Sequence, residues 1–332
     1  DLIDICHSGL WPGITLPWRI QQDIGQPFGA FVYLNTETDM NLTHLLRTVL
    51  ATSSVAFLVA CGTSSPSPSA AQQTLGIQQI RNATLKVEYA GTTFLIDPML
   101  AKKGAYPGFE GTYNSHLRNP LVDLPLPLEE VMKADAIIVT HTHLDHWDEV
   151  ARQRLPKAMP IFVQDEKDAI SIRQDGFTDV RVLTESTVFN GTRLSKTGGQ
   201  HGDDKTMAVA GELLGSVSGV VFQRPGHKTV YVAGDTVWNR HVEDALQQYK
   251  PDVIILNTGY ARIQGLEGSI IMGKEDLLRA YQAAPKAMVI GTHMEAVNHG
   301  MQTRKELRDF IAEKGMDAQR VRVPADGGVC RV

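Results

Sequence analysis

Thr140-His141-Thr142-His143-Leu144-Asp145-His146 sets three imidazoles and one carboxylate within the six positions 141–146. His141 and His143 are two apart, and in an extended or tightly turning segment that spacing points both rings to one side. Asp145 and His146 follow and can face a second point close by. A nitrogen-rich pocket with an added carboxylate suits zinc or a similar first-row divalent metal. The chemistry such a pocket supports is hydrolysis, because a bound divalent ion brings the pKa of water down towards neutrality. A polar loop with bystander histidines would not place four ligand-type residues in this order.

The elements that must hold this loop follow from the apolar pattern. Residues 136–139, Ala-Ile-Ile-Val, read as a buried strand that ends where the histidines begin. Upstream, residues 83–89 and 93–96 form a hairpin turning at Gly91 and ending on Asp97-Pro98. Asp97 reads either as a turn former or as a carboxylate that orients the metal loop. Residues 102–127 are long and irregular, the mark of a lid or substrate wall, with Tyr106, Phe109, Tyr113 and His116 as candidate lining groups. Any one of these, taken alone, reads as surface packing.

Short helices are expected at 128–133, 148–154 and 166–174, and strands at 161–163, 180–183, 187–189 and 192–195, the last two joined at Asn190-Gly191. Strands at 217–222 and 229–233 flank Pro225-Gly226. Helices at 239–249, 274–283 and 304–313 then alternate with strands at 253–256 and 288–290, and strands at 321–323 and 329–332 close the chain. Periodicity by itself supports a generic α/β or α+β assignment.

His141-x-His143-x-Asp145-His146 resembles the signature of the metallo-β-lactamase-fold hydrolases. The resemblance covers roughly residues 75–332. His201, in Gly-Gly-Gln-His-Gly, resembles the third histidine ligand. Asp235, in Val-Ala-Gly-Asp-Thr, resembles the bridging aspartate, and His293, in Ile-Gly-Thr-His, the last histidine. Asp97 resembles the buried aspartate of the family's first motif. The branch of ascorbate-phosphate-lactonase-like and phosphodiesterase-like proteins looks most similar.

This likeness implies a four-layer αββα sandwich and two divalent metal ions, zinc first, with manganese or iron as alternatives. His141, His143 and His201 would hold one ion, Asp145, His146 and His293 the other, and Asp235 would bridge them. A water ionised between the metals would open a lactone or ester, such as an acyl-homoserine lactone. Asp145 or Asp235 would carry a proton to the leaving group, and Tyr260 would donate to a developing oxyanion. Gly198, Gly199 and Gly202 would let the backbone approach a ligand. The commonest zinc β-lactamases carry cysteine where this chain has Asp235, so an antibiotic substrate is disfavoured. Phosphodiester hydrolysis is the alternative, with Arg262 and Lys274 as candidate phosphate contacts; a non-catalytic metal-binding role is the third.

The 332 residues are 42% apolar and 21% charged, with formal net charge −5, which fits a globular chain with a real core. No long basic run is present, which excludes avid nucleic-acid binding through charge; the expected partner is a small-molecule substrate. Cys6, Cys61 and Cys330 share no CxxC spacing and form neither a disulfide framework nor a zinc-thiolate site.

Residues 1–39 show no sustained period and carry no readable function, and Met40 reads as the start of the gene product proper. Residues 40–61 carry a thin positive region at Arg47 and an apolar run shorter than the roughly 20 residues of a spanning helix. They read as a secretory signal. Its end resembles a bacterial lipoprotein box with Cys61 as the lipidated residue, and the Ser/Pro-rich residues 62–74 would be a flexible tether. That places the protein in the cell envelope or periplasm. If the segment is instead an ordinary apolar helix, the cytoplasm follows.

Overall fold

A computed structural model of the chain describes residues 75–332. The expectations for residues 1–39, 40–61 and 62–74, Cys61 included, lie outside the described residues. Strands β1 (Gly76–Arg81), β2 (Thr84–Tyr89), β3 (Thr92–Ile96), β4 (Ala136–Val139), β5 (Ile161–Val163), β6 (Val180–Val182) and β14 (Val329–Arg331) form one sheet in the order β14-β1-β2-β3-β4-β5-β6. The second sheet holds β7 (Thr187–Phe189), β8 (Thr192–Gly198), β9 (Ser218–Gln223), β10 (Val230–Val232), β11 (Val253–Asn257), β12 (Met288–Thr292) and β13 (Val321–Arg322), ordered β13-β12-β11-β10-β9-β8-β7.

Alternation along the strands explains the layers. Phe94, Ile96, Ile138 and Phe162 of the first sheet meet Leu194, Phe222, Val232 and Ile255 of the second in one buried core. Their neighbours Leu95, Ile137, Val139 and Val163 point the other way. These outer residues pack on helices α1 (Leu128–Val131), α2 (Glu149–Arg154) and α3 (Glu166–Gln174) through Val131, Ala151 and Ile172. On the far side Tyr231, Ile254, Leu256 and Val289 pack on α5 (Arg240–Tyr249), α6 (Lys274–Ala283) and α7 (Arg304–Glu313) through Val242, Leu277 and Leu307. With both faces covered, the central strands are apolar throughout. The result is the expected four-layer αββα sandwich.

Two elements were not visible in the sequence. Strand β1 reads Gly-Ile-Gln-Gln-Ile-Arg, which breaks the apolar run, yet Gln79 and Arg81 are fully buried. Carbonyls meet part of their polar atoms: Gln79 Nε2 donates to Asn82 O at 2.9 Å and Arg81 Nη1 to Val122 O at 2.9 Å, while Gln79 Oε1 and Arg81 Nε are buried without a partner. Helix α4 (Asp204–Leu214) is capped by Asp203, which accepts from Thr206 N at 2.8 Å. Val209 and Leu213 of this helix are 74% and 73% exposed while Met207, Ala210 and Leu214 pack inward, so apolar residues on both faces blur the stripe that reveals a helix.

Candidate metal centre

The site forms where strands end. β3 and β4 pair in parallel and β10, β11 and β12 pair in parallel. Their carboxyl ends release Asp97, the 141–146 loop, Asp235, Asn257 and His293, the usual position for a site in an α/β sheet. The turns that do this are tight. Asp97 and His293 adopt φ of 46° and 61°, the left-handed region that non-glycine residues seldom enter without support. His293 is held there by its N–H, which donates to Asn82 O at 3.0 Å. Asp235 follows Gly234, whose φ is 71° and where a Cβ would stand 2.4 Å from Ser218 O; only glycine fits that turn.

Two clusters result. His141, His143 and His201 form one, and Asp145, His146, Asp235 and His293 the other, with the ligand atoms of each within 4.8 Å of one another. His141 Nε2 lies 3.0 Å from His143 Nδ1, and His146 Nε2 lies 3.2 Å from His293 Nε2. Asp235 Oδ2 stands between the clusters, 3.0 Å from His146 Nε2, 3.5 Å from His293 Nε2 and 3.7 Å from His201 Nε2. Asp145 Oδ2 is 3.3 Å from His293 Nε2.

The outer ring nitrogens show what the inner ones are for. His146 Nδ1 donates to Asp97 Oδ2 at 2.8 Å, and His201 Nδ1 donates to Ile270 O at 2.8 Å. His143 Nε2 faces Leu213 O at 3.3 Å and His141 Nδ1 faces Thr140 Oγ1 at 3.3 Å. Each of these four rings is thereby anchored through one nitrogen and aims the other inward, as metal-binding histidines do. His293 differs: its Nδ1 is buried without a partner. Asp97 itself accepts from Thr140 N and Thr140 Oγ1, both at 2.7 Å, so the buried aspartate orients both the loop and a histidine. Asp235 Oδ1 accepts from Asn257 Nδ2 at 2.6 Å, and Asn257 Oδ1 accepts from Thr292 Oγ1 at 2.9 Å.

Electrostatics agree with a cation site. Burial disfavours the carboxylates of Asp145 and Asp235, yet the facing imidazoles of His146 and His293 hold both well below the usual carboxylate range. Burial also works against protonated His146 and His293. Asp235, joined by Asp97 beside His146 and by Asp145 beside both rings, outweighs it, and His146 is held well above its ordinary value and His293 is raised to about 9. Burial lowers His141 well below the ordinary value and His201 to about 4. Without metal, protons on His146 and His293 balance the two carboxylates; a divalent cation replaces those protons. The donor set, nitrogen-rich with carboxylate and lacking thiolate, fits zinc, manganese or iron.

Residues 92–294 match the sequence profile of the beta-lactamase superfamily domain. The chain belongs to the beta-lactamase superfamily. Among its relatives in this superfamily, the UPF0173 protein YddR of Bacillus subtilis is 48% identical over 254 residues, 76% of this chain and 98% of that protein. A UPF0173 metal-dependent hydrolase of Nanoarchaeum equitans is 26% identical over 196 residues, 58% of this chain and 84% of its relative. The crystal structure of isothiocyanate hydrolase from Delia radicum gut bacteria superposes with a TM-score of 0.74 at 50% identity, covering 77% of this chain and 98% of that one. This beta-lactamase superfamily member is a metal-dependent hydrolase.

A cavity of about 320 Å³ opens onto the metal clusters of this hydrolase. His143, Asp145, His201 and Asp235 form its floor, and Phe109, Leu213, Leu214, Ile263 and Ile270 its walls. Of the long 102–127 segment, Phe109, Glu110 and Thr112 reach this cavity; Tyr106 is buried elsewhere and His116 is exposed. Arg262 lies over the Tyr113 ring and Lys274 over the Phe310 ring, and neither lines the cavity.

Two expectations need correction. Tyr260 does not reach the metal cavity. Its φ of 49° turns the side chain against Gly273, and it lines a separate cleft with Lys274, Gln302 and Glu306. Gly198 and Gly199 make room for protein: a Cβ at 198 would press on the His241 ring at 2.5 Å, and one at 199 on Val217 at 3.2 Å. Gly202 likewise packs on Thr206. His299, by contrast, lines the cavity beside Asp145 and Asp235 and does not stand out in the sequence. Its neighbours Asn298 and Gly300 give no local sign of chemistry; a histidine six residues beyond His293 is the only available signal.

Proposed function

We propose that this chain is a binuclear metal-dependent hydrolase of isothiocyanates, converting R–N=C=S and water to an amine and carbonyl sulfide. The observation that carries this reading is the cavity: small, walled by apolar side chains, opening on the two clusters, and without lysine or arginine among its described lining residues. Such a pocket takes an uncharged electrophile with an apolar substituent. The 50% identity to an isothiocyanate hydrolase over nearly that whole chain supports the choice. Apart from the metal ions, no described lining residue offers a phosphodiester a cation, which favours an uncharged substrate over that alternative. The lactone or ester expected from the sequence has the same uncharged, electrophilic carbon.

His141, His143 and His201 would hold one metal ion, and Asp145, His146 and His293 the other, with Asp235 between them. Bound divalent metal supplies Lewis acidity and a water that ionises near neutral pH. The chain's own part is positioning. The walls at Phe109, Leu214 and Ile270 hold the substituent. Water oxygen bonds to the central carbon and the C=N π pair moves to nitrogen. Asp145, ionised in this site, accepts the proton released from water on a carboxylate oxygen and passes it to that nitrogen. The C–N bond then breaks, and the second proton of the water completes the amine.

The test is purified, metal-loaded protein with allyl or benzyl isothiocyanate, following ultraviolet absorbance and carbonyl sulfide release, beside an acyl-homoserine lactone, a phosphodiester and a β-lactam. Isothiocyanate turnover that is lost together with metal in His143→Ala is the expected result. Turnover of another class with isothiocyanates inert would overturn the proposed substrate.

A further inference from the structure

His299 is 7% exposed and sits in the cavity wall with Asp145, His201 and Asp235, yet belongs to neither ligand cluster. Its position is fixed from three sides. The Phe109 ring meets it edge-on, with centroids 5.0 Å apart and planes at 88°. Its carbonyl accepts from Arg262 N at 3.0 Å. The preceding residue, Asn298, uses its whole side-chain amide: Oδ1 accepts from Phe109 N at 3.0 Å and Asn119 Nδ2 at 2.8 Å, and Nδ2 donates to Thr112 Oγ1 at 2.8 Å and Tyr113 O at 2.7 Å. A ring so firmly held would be expected to be hydrogen-bonded itself. Instead its Nδ1 is sealed in protein with no partner, which leaves Nε2 as the nitrogen that faces the cavity.

That asymmetry selects a tautomer, because no carboxylate among the described residues pairs with this ring as Asp145 and Asp235 pair with His293. A proton on Nδ1 would strand an N–H donor in dry protein, whereas a proton on Nε2 strands only a lone pair, the less costly of the two. An imidazolium would strand the same Nδ1–H donor, so the geometry also favours the neutral ring. A neutral imidazole with N–H aimed at a reaction centre is an electrophilic donor: it costs no reorganisation and acts where charge develops.

We propose that His299 is a catalytic residue whose Nε2–H donates a hydrogen bond to the negative charge that develops on the substrate's heteroatoms, the N–C–S unit of an isothiocyanate or the carbonyl oxygen of a lactone, as water attacks carbon. It fills the place that the sequence suggested for Tyr260. The inference rests on the hydrolase reading of this site but not on the choice of electrophile.

His299→Phe keeps the ring volume against Phe109 and removes the donor; His299→Gln returns an N–H. Both are assayed for kcat, KM, metal content and melting temperature on whichever electrophile the wild type turns over. Loss of one such donor lowers kcat by about 10²–10³-fold. The expected pattern is that loss in His299→Phe with KM changed by a few-fold at most, metal content intact and partial recovery in His299→Gln. A kcat within a few-fold of wild type, or a fall that tracks loss of metal, would overturn the role. A readout without turnover is ¹⁵N NMR of labelled histidines at pH 7, where the structure requires Nε2 protonated and Nδ1 bare. The opposite tautomer, or an imidazolium, would sink the proposal even if no electrophile had been found. Lactone turnover that needs His299, with isothiocyanates inert, would refute the isothiocyanate assignment and leave this one standing.

Discussion

Asp97→Asn changes one atom in a residue that touches no proposed substrate, and the structure says how that atom reaches the metal. Asp97 is 1% exposed. Its Oδ1 takes Thr140 N–H at 2.7 Å, and its Oδ2 takes Thr140 Oγ1 at 2.7 Å and His146 Nδ1 at 2.8 Å. The new amide can keep its oxygen towards Thr140 N–H, which puts NH₂ against His146 Nδ1. That nitrogen must then accept, and the ring proton moves to Nε2, the atom that faces Asp235 and His293. A protonated Nε2 cannot bind metal. Flipping the amide restores His146 but sets NH₂ against Thr140 N–H. Either choice costs about one charge-assisted hydrogen bond, about 1.5–3 kcal/mol, which is roughly 10–100-fold in affinity. The loss should fall on the cluster of Asp145, His146, Asp235 and His293 and spare that of His141, His143 and His201. Calorimetric titration of metal-free protein with zinc, with chelator competition for the tighter site, resolves the two classes. Melting curves verify that the variant is folded. Two sites at wild-type affinity, within two- or three-fold, would show that Asp97 does not set the His146 tautomer.

Two further predictions use other parts of the site. Metal binding must displace the protons that His146 and His293 hold in the metal-free protein, since the first is held well above its ordinary value and the second is raised to about 9. About two protons should leave per filled molecule at pH 7, and affinity should rise with pH until both rings have titrated. Calorimetry in buffers of different ionisation enthalpy counts them, and zero release would mean that these two rings do not carry the protons that balance Asp145 and Asp235. Asn298→Ala removes four side-chain bonds, three to the Phe109–Tyr113 segment and one to Asn119, that tie this stretch to the turn before His299. Some partners will rehydrate, so a loss of about 2–4 kcal/mol is expected. A lower urea midpoint and a raised KM should appear together, because Phe109 and Thr112 line the cavity; an unchanged midpoint would show that the segment is held elsewhere.

Much of the sandwich was legible because its strands alternate inner and outer residues, or are apolar on both faces, and its helices carry stripes. Helices α3, α6 and α7 begin and end where the pattern placed them. α4 escaped because Val209 and Leu213 lie in solvent, and β1 because Gln79 and Arg81 are buried with carbonyl partners outside the strand. The remaining N-terminal reading, residues 1–74, rests on sequence alone.

The 141–146 loop announced its chemistry in the chain itself, since residues so few bonds apart cannot separate far and their types were those of a metal site. His201, Asp235 and His293 were named through likeness to a family; alone, each is an ordinary polar residue after a strand. Only the packed molecule decided which of Tyr260 and His299 enters the cavity. That choice turns on a left-handed backbone at 260, on Gly273 beneath its ring, and on Asn298 bound to a segment nearly two hundred residues earlier. Side-chain direction in a loop is set by neighbours remote in sequence, and no local spacing encodes them.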